Sequence, residues 1–302
     1  MLATYRTLAQ RCQTRIEAWP PVVQGMFWVA LSGFIFSVLN ALLRALSQQL
    51  PTGQAQFLRY LAGVIVMMPL LFRHGLKHYW PRDVKGQFWR GAAHALALTL
   101  WFTALPHIPL ADMTAISFTG PIYVMLGAAW FLGERMRSDR WVAAAIGFVG
   151  VLVVVGPKLS GEGGYYNLIM MASSPLFAAS FLITKALTRS EQSATIVLWQ
   201  SLVIALLSAP LGLMQWAPIS LWQALAFLVA GFLGSYGHYC MARGFGLADI
   251  SATQSLRFLD LVWTSALGWL VFASVPSMST WLGAAVIMSA TLWITRRERK
   301  RR

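Results

Sequence analysis

Long apolar runs separated by short polar turns dominate this chain. No position from Ala18 to Leu43 is charged, nor any from Leu261 to Thr295. Each run is at least the roughly 20 residues a helix needs to cross a bilayer core. Turn chemistry cuts the pattern at Pro51-Thr52-Gly53, His107-Ile108-Pro109, Gly161-Glu162-Gly163-Gly164 and between Pro210 and Pro218. The charge-free stretch from Gln192 to Ala242 is too long for one helix and splits at its Pro-, Gln- and Trp-containing middle. The stretch ending at Thr295 divides around Pro276 and Ser277 in the same way. Ten spans result, at 22–43, 54–72, 88–106, 112–132, 140–156, 164–185, 193–213, 220–242, 249–272 and 279–295. The pattern predicts an all-α integral membrane protein with ten transmembrane helices.

The ten spans fall into two copies of five. Leu43-Arg44-Ala45-Leu46-Ser47 recurs as Thr184-Lys185-Ala186-Leu187-Thr188, Leu110-Ala111-Asp112 recurs as Leu247-Ala248-Asp249, and Trp141 falls opposite Trp281. An odd number of spans per copy turns the second copy over in the bilayer. Two inverted five-helix repeats are a construction by which secondary transporters make two exchangeable conformations around one midplane site. The chain thus divides into an N-terminal segment 1–21, a first repeat 22–157, a second repeat 164–295 and a basic tail 296–302.

Composition agrees. Apolar residues make up 57% of the chain and charged residues 11%, about half the charge of a soluble domain. The formal charge of +14 sits in short clusters at the ends of apolar runs. With both termini inside, cytoplasmic segments hold 21 of the 24 Lys and Arg, leaving Arg44, Arg59 and Lys158 outside. Ten spans with cytoplasmic termini satisfy the positive-inside rule throughout. A nucleic-acid face would need one contiguous basic surface, so no nucleic-acid partner is expected. The first spans are too long for a cleaved signal, and residues 2–19 read either as a short amphipathic surface helix or as a tail. Cys12 and Cys240 fall at different depths, so no disulfide is expected. Small residues in the fifth span (Gly147, Gly150) and tenth span (Gly283, Ala284) mark a packing seam, with a homodimer contact as the alternative.

The ninth span carries the most informative chemistry. Asp260 lies about 16 Å into it at 1.5 Å per residue, near the midplane, with Arg257 one turn earlier on the same face. Charges at that depth are costly unless paired or facing a watered cavity. One reading is a structural ion pair. The other is a substrate site in which Arg257 takes a carboxylate and Asp260 an ammonium or a coupled proton. At an offset of 137 residues Arg257 and Asp260 match Gly120 and Tyr123, so only one copy has the pair. The first copy instead has Pro121, expected to break the fourth span near Ser117. Trp101 falls opposite Tyr239 between the repeats, with Tyr236, His238 and Trp263 near the same level, and their rings suit a flat amphipathic substrate. Asn40, His94, Ser117, Thr119, Gln254 and Ser255 complete the intramembrane polar set, each able instead to bond a neighbouring helix. Arg59 lies close enough to the outer surface to snorkel.

The fourth span, IPLADMTAISFTGPIYVMLGAAWFLGERM, closes on Phe131-Leu132-Gly133-Glu134-Arg135. With the ten-span duplicated plan and the basic tail, it resembles the EamA-type members of the drug/metabolite transporter superfamily along nearly the whole chain. The resemblance implies a secondary carrier in a bacterial-type inner membrane, with a substrate cavity between the repeats. In the second copy Val271-Phe272-Ala273-Ser274-Val275-Pro276 stands where many relatives repeat Gly-Glu. Glu134 then reads as a solvated partner of Arg135 and Arg137 at a helix end.

No phosphate-cradling Gly-Lys loop, paired-His zinc helix or Gly-x-Ser-x-Gly turn occurs, so no cofactor or metal is expected. The leading expectation is export of small metabolites, amino acids foremost and among them aromatic or bulky apolar ones, by alternating access around a central midplane cavity. The rivals are a carrier of a nucleoside-like metabolite such as S-adenosylmethionine, a membrane-embedded enzyme using Asp260 and His94 as acid and base, and a sensor or scaffold.

Overall fold

The computed structural model describes residues 19–47, 49–104, 107, 116–135, 137–159, 164–272 and 277–300, and they form helices with no strand among them. The helices are α1 (Pro21–Ser47), α2 (Thr52–His74), α3 (Val84–Ala104), α4 (Gly120–Leu132), α5 (Ser138–Val155), α6 (Tyr165–Leu187), α7 (Ser193–Met214), α8 (Leu221–Leu247), α9 and α10 (Met278–Lys300). Interrupted α9 consists of Ile250–Thr253, a 3-10 stretch Gln254–Phe258, and Leu259–Phe272. Seven of these helices, α1, α2, α5, α6, α7, α8 and α10, are long and apolar enough to cross a membrane, and α4 is a shorter apolar helix. The N-terminal segment to residue 18, Cys12, Leu110-Ala111-Asp112 and residues 273–276 lie outside the described residues.

Local chemistry sets the helix ends. Ser220 and Gln223 form a reciprocal capping box at the start of α8. Gly75, at φ +80, ends α2. Several helices outrun the expected spans, α1 to Ser47, α8 to Leu247 and α10 to Lys300. An apolar window stops at the first charge, whereas a helix continues wherever its polar end finds partners. Residues 296–300 are accordingly the last turns of α10 rather than a separate tail.

The packing repeats itself under exchange of the two halves. α1 lies against α8 as α6 lies against α3, α2 meets α8 as α7 meets α3, and α1 meets α9 as α6 meets α4. The pairs α2–α7 and α5–α10 join each helix to its own counterpart. Such a scheme is that of a pseudo-twofold axis, with five crossings per half inverting the second copy. The exchange is not perfect, since α7–α8 and α9–α10 are closer than their counterparts in the first half.

Hydrogen bonds between turns show which helix ends lie together. Arg82 N and Asp83 N, before α3, donate to Glu191 Oε1, before α7, at 2.5 and 2.9 Å. Lys185 Nζ at the end of α6 donates to Phe245 O and Ala248 O at 2.6 and 2.7 Å. Glu134 after α4 reaches the start of α9, and Arg140 of α5 reaches Glu298 of α10. These turns form one end, here called the basic end. At the other end Gln54 exchanges two hydrogen bonds with the backbone of Ala217, at 2.7 and 2.9 Å.

The small-residue seam lies within the chain. A Cβ added to Gly150 would come within 2.7 Å of Ile287 Cγ1 and 3.1 Å of Gly283 O. Close backbone approach is what joins helices in lipid. Gly150→Ala is therefore expected to destabilise by about 1–3 kcal/mol, read as a lower melting temperature in detergent. Gly156→Ala, with nothing within 4 Å of its Cβ position, should leave melting unchanged.

Candidate substrate site

The expected break in the fourth span is present and has a partner. A turn at Phe118 and Thr119 precedes α4, with Pro121 inside the first helical turn and Thr119 Oγ1 donating to Ile116 O at 2.6 Å. Proline lacks the N–H that would continue a helix backwards and is accepted in a first turn. In α9 the 3-10 stretch occupies the corresponding place, and Gln254 Nε2 donates to Ile250 O at 2.9 Å. The two breaks touch, with the rings of Phe118 and Phe258 stacked 5.7 Å apart. Interrupted helices that face each other across a pseudo-twofold axis free backbone and side-chain groups near the midplane.

Just beyond the α9 break, Arg257 Nη2 lies 3.5 Å from Asp260 Oδ2, and both side chains keep 23% of their surface accessible. Asp260 fits against α1 because residue 33 is glycine, since any Cβ there would meet the carboxylate. Phe181 of α6 lies 5.5 Å from the Arg257 guanidinium, and Phe34 packs edge-on against Trp263 at 5.8 Å. Ser255 Oγ, Arg257 Nη1 and Trp263 Nε1 are buried without a hydrogen-bond partner. Unpartnered buried polar atoms are rare in folded proteins, and three lie here within nine residues.

A second cluster lies one ring away. Phe181 also meets His94 of α3 at 6.3 Å, and His94 meets His238 of α8 at 5.4 Å. His94 Nδ1 lies 3.2 Å from Ser180 Oγ, and His238 Nε2 lies 3.4 Å from Gln200 Nε2. Pseudo-symmetry shows in the rings, with Phe36 of α1 against His238 at 4.8 Å and Phe177 of α6 against His94 at 5.1 Å. Phe36 and Phe177 are 141 residues apart, the repeat offset. That regularity was available in the sequence, but nothing there tied either ring to a histidine. In the sequence His238 stands out only by its depth, and Gln200 and Ser180 carry no signal.

The other candidate residues have neighbours of their own. Tyr236 is 40% exposed on the outward stripe of α8 with Leu225, Val229 and Phe232, stacking between Phe232 and Tyr239. Tyr239 packs with Met67, Val197 and Leu198. Trp101 packs with Ala104, Met170 and Ile116 between α3, α6 and the stretch before α4. Asn40 and Ser117 are exposed, and Gln254 is buried in its bond to the α9 backbone.

Glu134 differs from its expected role. Gly133 takes φ +66 and closes α4 through a bond from its N–H to Ala128 O, which aims Glu134 at α9. The Glu134 carboxylate accepts from Ile250 N at 2.8 Å, Ser251 N at 3.0 Å and Ser251 Oγ at 2.6 Å. It caps the start of α9 instead of pairing with its neighbours, while Arg137 bonds Asp139 and Glu298. Arg59, expected to snorkel, turns inward onto Tyr60 and α8.

An inverted helical duplication with a polar centre between its halves is the build of a membrane carrier. The EamA-like transporter family matches residues 23–156 and 164–296, and the chain belongs to that family. It is 34% identical over 297 residues to a riboflavin transporter of Rhizobium johnstonii, covering 96% of this chain and 97% of the relative. An S-adenosylmethionine uptake transporter of Rickettsia felis is 26% identical, covering 94% and 96%. A pseudopaline exporter of Pseudomonas aeruginosa is 27% identical, covering 90% and 96%. One solved crystal structure superposes with a TM-score of 0.78 at 19% identity, covering 92% of this chain and 99% of that one, which establishes the same fold. The protein is a multi-pass membrane transporter of small metabolites, not an enzyme.

Proposed function

We propose that the protein is a secondary carrier for flat heteroaromatic metabolites, with riboflavin as the leading substrate, bound at the α9 break. The carrying observation is the set of unpartnered donors on Arg257, Trp263 and Ser255 beside Asp260, flanked by Phe34 and Phe181. Donors meet ring carbonyls, a carboxylate accepts from ring N–H or hydroxyl groups, and aromatic faces take the apolar rings. The relative named a riboflavin transporter supports the same class. An amino-acid substrate fits less well. Arg257 and Asp260 are already paired, and a zwitterion would have to break that pair to bind both groups.

S-adenosylmethionine is the second reading, favoured by the accessible Asp260 carboxylate facing a cationic sulfonium or ammonium. In either case the two halves rock about the site and expose it to one side at a time. The basic end faces the cytoplasm of a bacterial inner membrane, by the positive-inside rule, with both chain termini on that side. Surrounding lipid covers the exposed apolar faces.

Riboflavin flux in reconstituted proteoliposomes tests the reading. The wild type should show saturable flux in either direction down a gradient. Arg257→Ala should raise the half-saturating concentration about tenfold or more, and Trp263→Phe several-fold. Saturable amino-acid flux without riboflavin flux would refute the assignment.

A further inference from the structure

Cations inside this bundle are mostly answered by the protein. Arg90 donates to Thr184 Oγ1 at 2.5 Å and Ile196 O at 2.9 Å. Arg140 pairs with Glu298 and Asp249, Lys185 caps α8, and Arg257 pairs with Asp260. Arg59 is different. It lies about 10 Å along α2 from the end opposite the basic one, at 1.5 Å per residue, and makes no ion pair and no hydrogen bond among the described residues.

Its position is nonetheless built. The guanidinium carbon rests 3.9 Å from the Tyr60 ring centroid. Nη2 occupies the space where a Cβ on residue 234 would stand, so glycine at that position of α8 makes the room. Tyr60 is 2% exposed and meets His94 edge-on at 6.5 Å, which ties Arg59 to the histidine cluster. Arg59 is half-buried, and none of its nitrogens is sealed off without a partner. Its partial accessibility leaves the guanidinium open to a bound group. An unpaired cation at such a depth is costly unless something answers it.

We propose that Arg59 is an outer binding group of the carrier, which holds a planar substrate group bearing two adjacent hydrogen-bond acceptors. The guanidinium fork presents parallel N–H donors that match such an edge. A carboxylate has one, and so does the flavin ring, in its N1 and C2 carbonyl. The flavin case rests on the riboflavin reading above, whereas the carboxylate case does not. Tyr60 fixes the plane of the fork, and Gly234 admits it against α8. Substrate arriving from the end opposite the basic one meets Arg59 first and the α9 break next.

The test begins with the wild-type protein in lipid nanodiscs. Treatment with 4-hydroxyphenylglyoxal followed by peptide mass spectrometry should modify Arg59 and spare Arg90. Benzoate, a planar carboxylate, and riboflavin should each slow modification of Arg59 at least several-fold. Absence of modification at Arg59, or an equal rate with both ligands at saturation, overturns the proposal. Arg59→Lys keeps the charge but loses the fork, and should weaken riboflavin binding, read by quenching of flavin fluorescence, about tenfold or more. Arg59→Gln should weaken it further. Unchanged affinity in both variants also overturns the proposal. If the wild type binds no riboflavin, the flavin reading alone falls, and protection by benzoate still decides the role of Arg59.

Discussion

Arg140→Ala should be among the most destabilising single substitutions in this protein, by about 3–5 kcal/mol. Its side chain is 6% exposed, and the guanidinium donates to Glu298 Oε1 at 3.0 Å, Asp249 Oδ2 at 3.0 Å and Ser251 Oγ at 2.8 Å. Glu298 is equally enclosed, at 5%, and its further partner among the described residues is Arg137, at 3.2 Å. Removing Arg140 leaves the buried carboxylate with the more exposed Arg137 alone, and that desolvation, rather than the lost attraction, dominates the cost. Asp249 contributes little because half its surface meets solvent. Reversible unfolding in mixed micelles measures the effect. Glu298→Gln should destabilise less, and the double variant less than the sum of the two, because the stranded charge is then gone. A strictly additive pair would show that the two side chains do not act together.

Depth along the chain was legible, and direction around each helix was not. Apolar run length placed the helices, because a bilayer imposes its thickness on sequence. Helix rotation leaves almost no trace in a membrane, since lipid and protein interior are both apolar. Tyr236 and His238 lie two residues apart at similar depth, yet one is 40% exposed on the outward stripe and the other 6% exposed at the centre. Arg257 and Asp260 were visible because charge at midplane is rare whatever the rotation. Their surroundings were not, since Gly33 and Phe181 are ordinary membrane residues until α1 and α6 bring them into contact. Pro121 announced the α4 break, while the break in α9 has no proline, and Gln254 bonding its own backbone marks it instead.

Glu134 shows the same limit at a helix end and yields the other large expected effect. Its partners are the N–H groups of Ile250 and Ser251, 116 and 117 residues away, and no side-chain pattern encodes a backbone donor. A carboxylate at a helix start answers both the open N–H groups and the positive end of the helix dipole. α9 depends on it heavily, because its first α-helical piece is only Ile250–Thr253 before the 3-10 stretch leading to Arg257. The bond also joins the turn after α4 to the turn between α8 and α9, so it holds the two halves together at the basic end. The matching place in the second copy, which inversion assigns to the opposite end, has Ala273-Ser274 instead of Gly-Glu, so repetition supplies no such carboxylate there. Glu134→Gln should therefore release the basic end selectively and shift the carrier toward opening there. The loss of a charge-assisted cap corresponds to about 1.5–3 kcal/mol, or roughly 10- to 150-fold in the conformational equilibrium. A cysteine placed at Thr253 in a background lacking Cys12 and Cys240 reads this directly. Its reaction with a membrane-impermeant maleimide from the basic end should accelerate at least tenfold in Glu134→Gln, with Glu134→Asp in between because its shorter arm reaches fewer of the three donors. An unchanged labelling rate would mean that the cap stabilises α9 without governing access to the site.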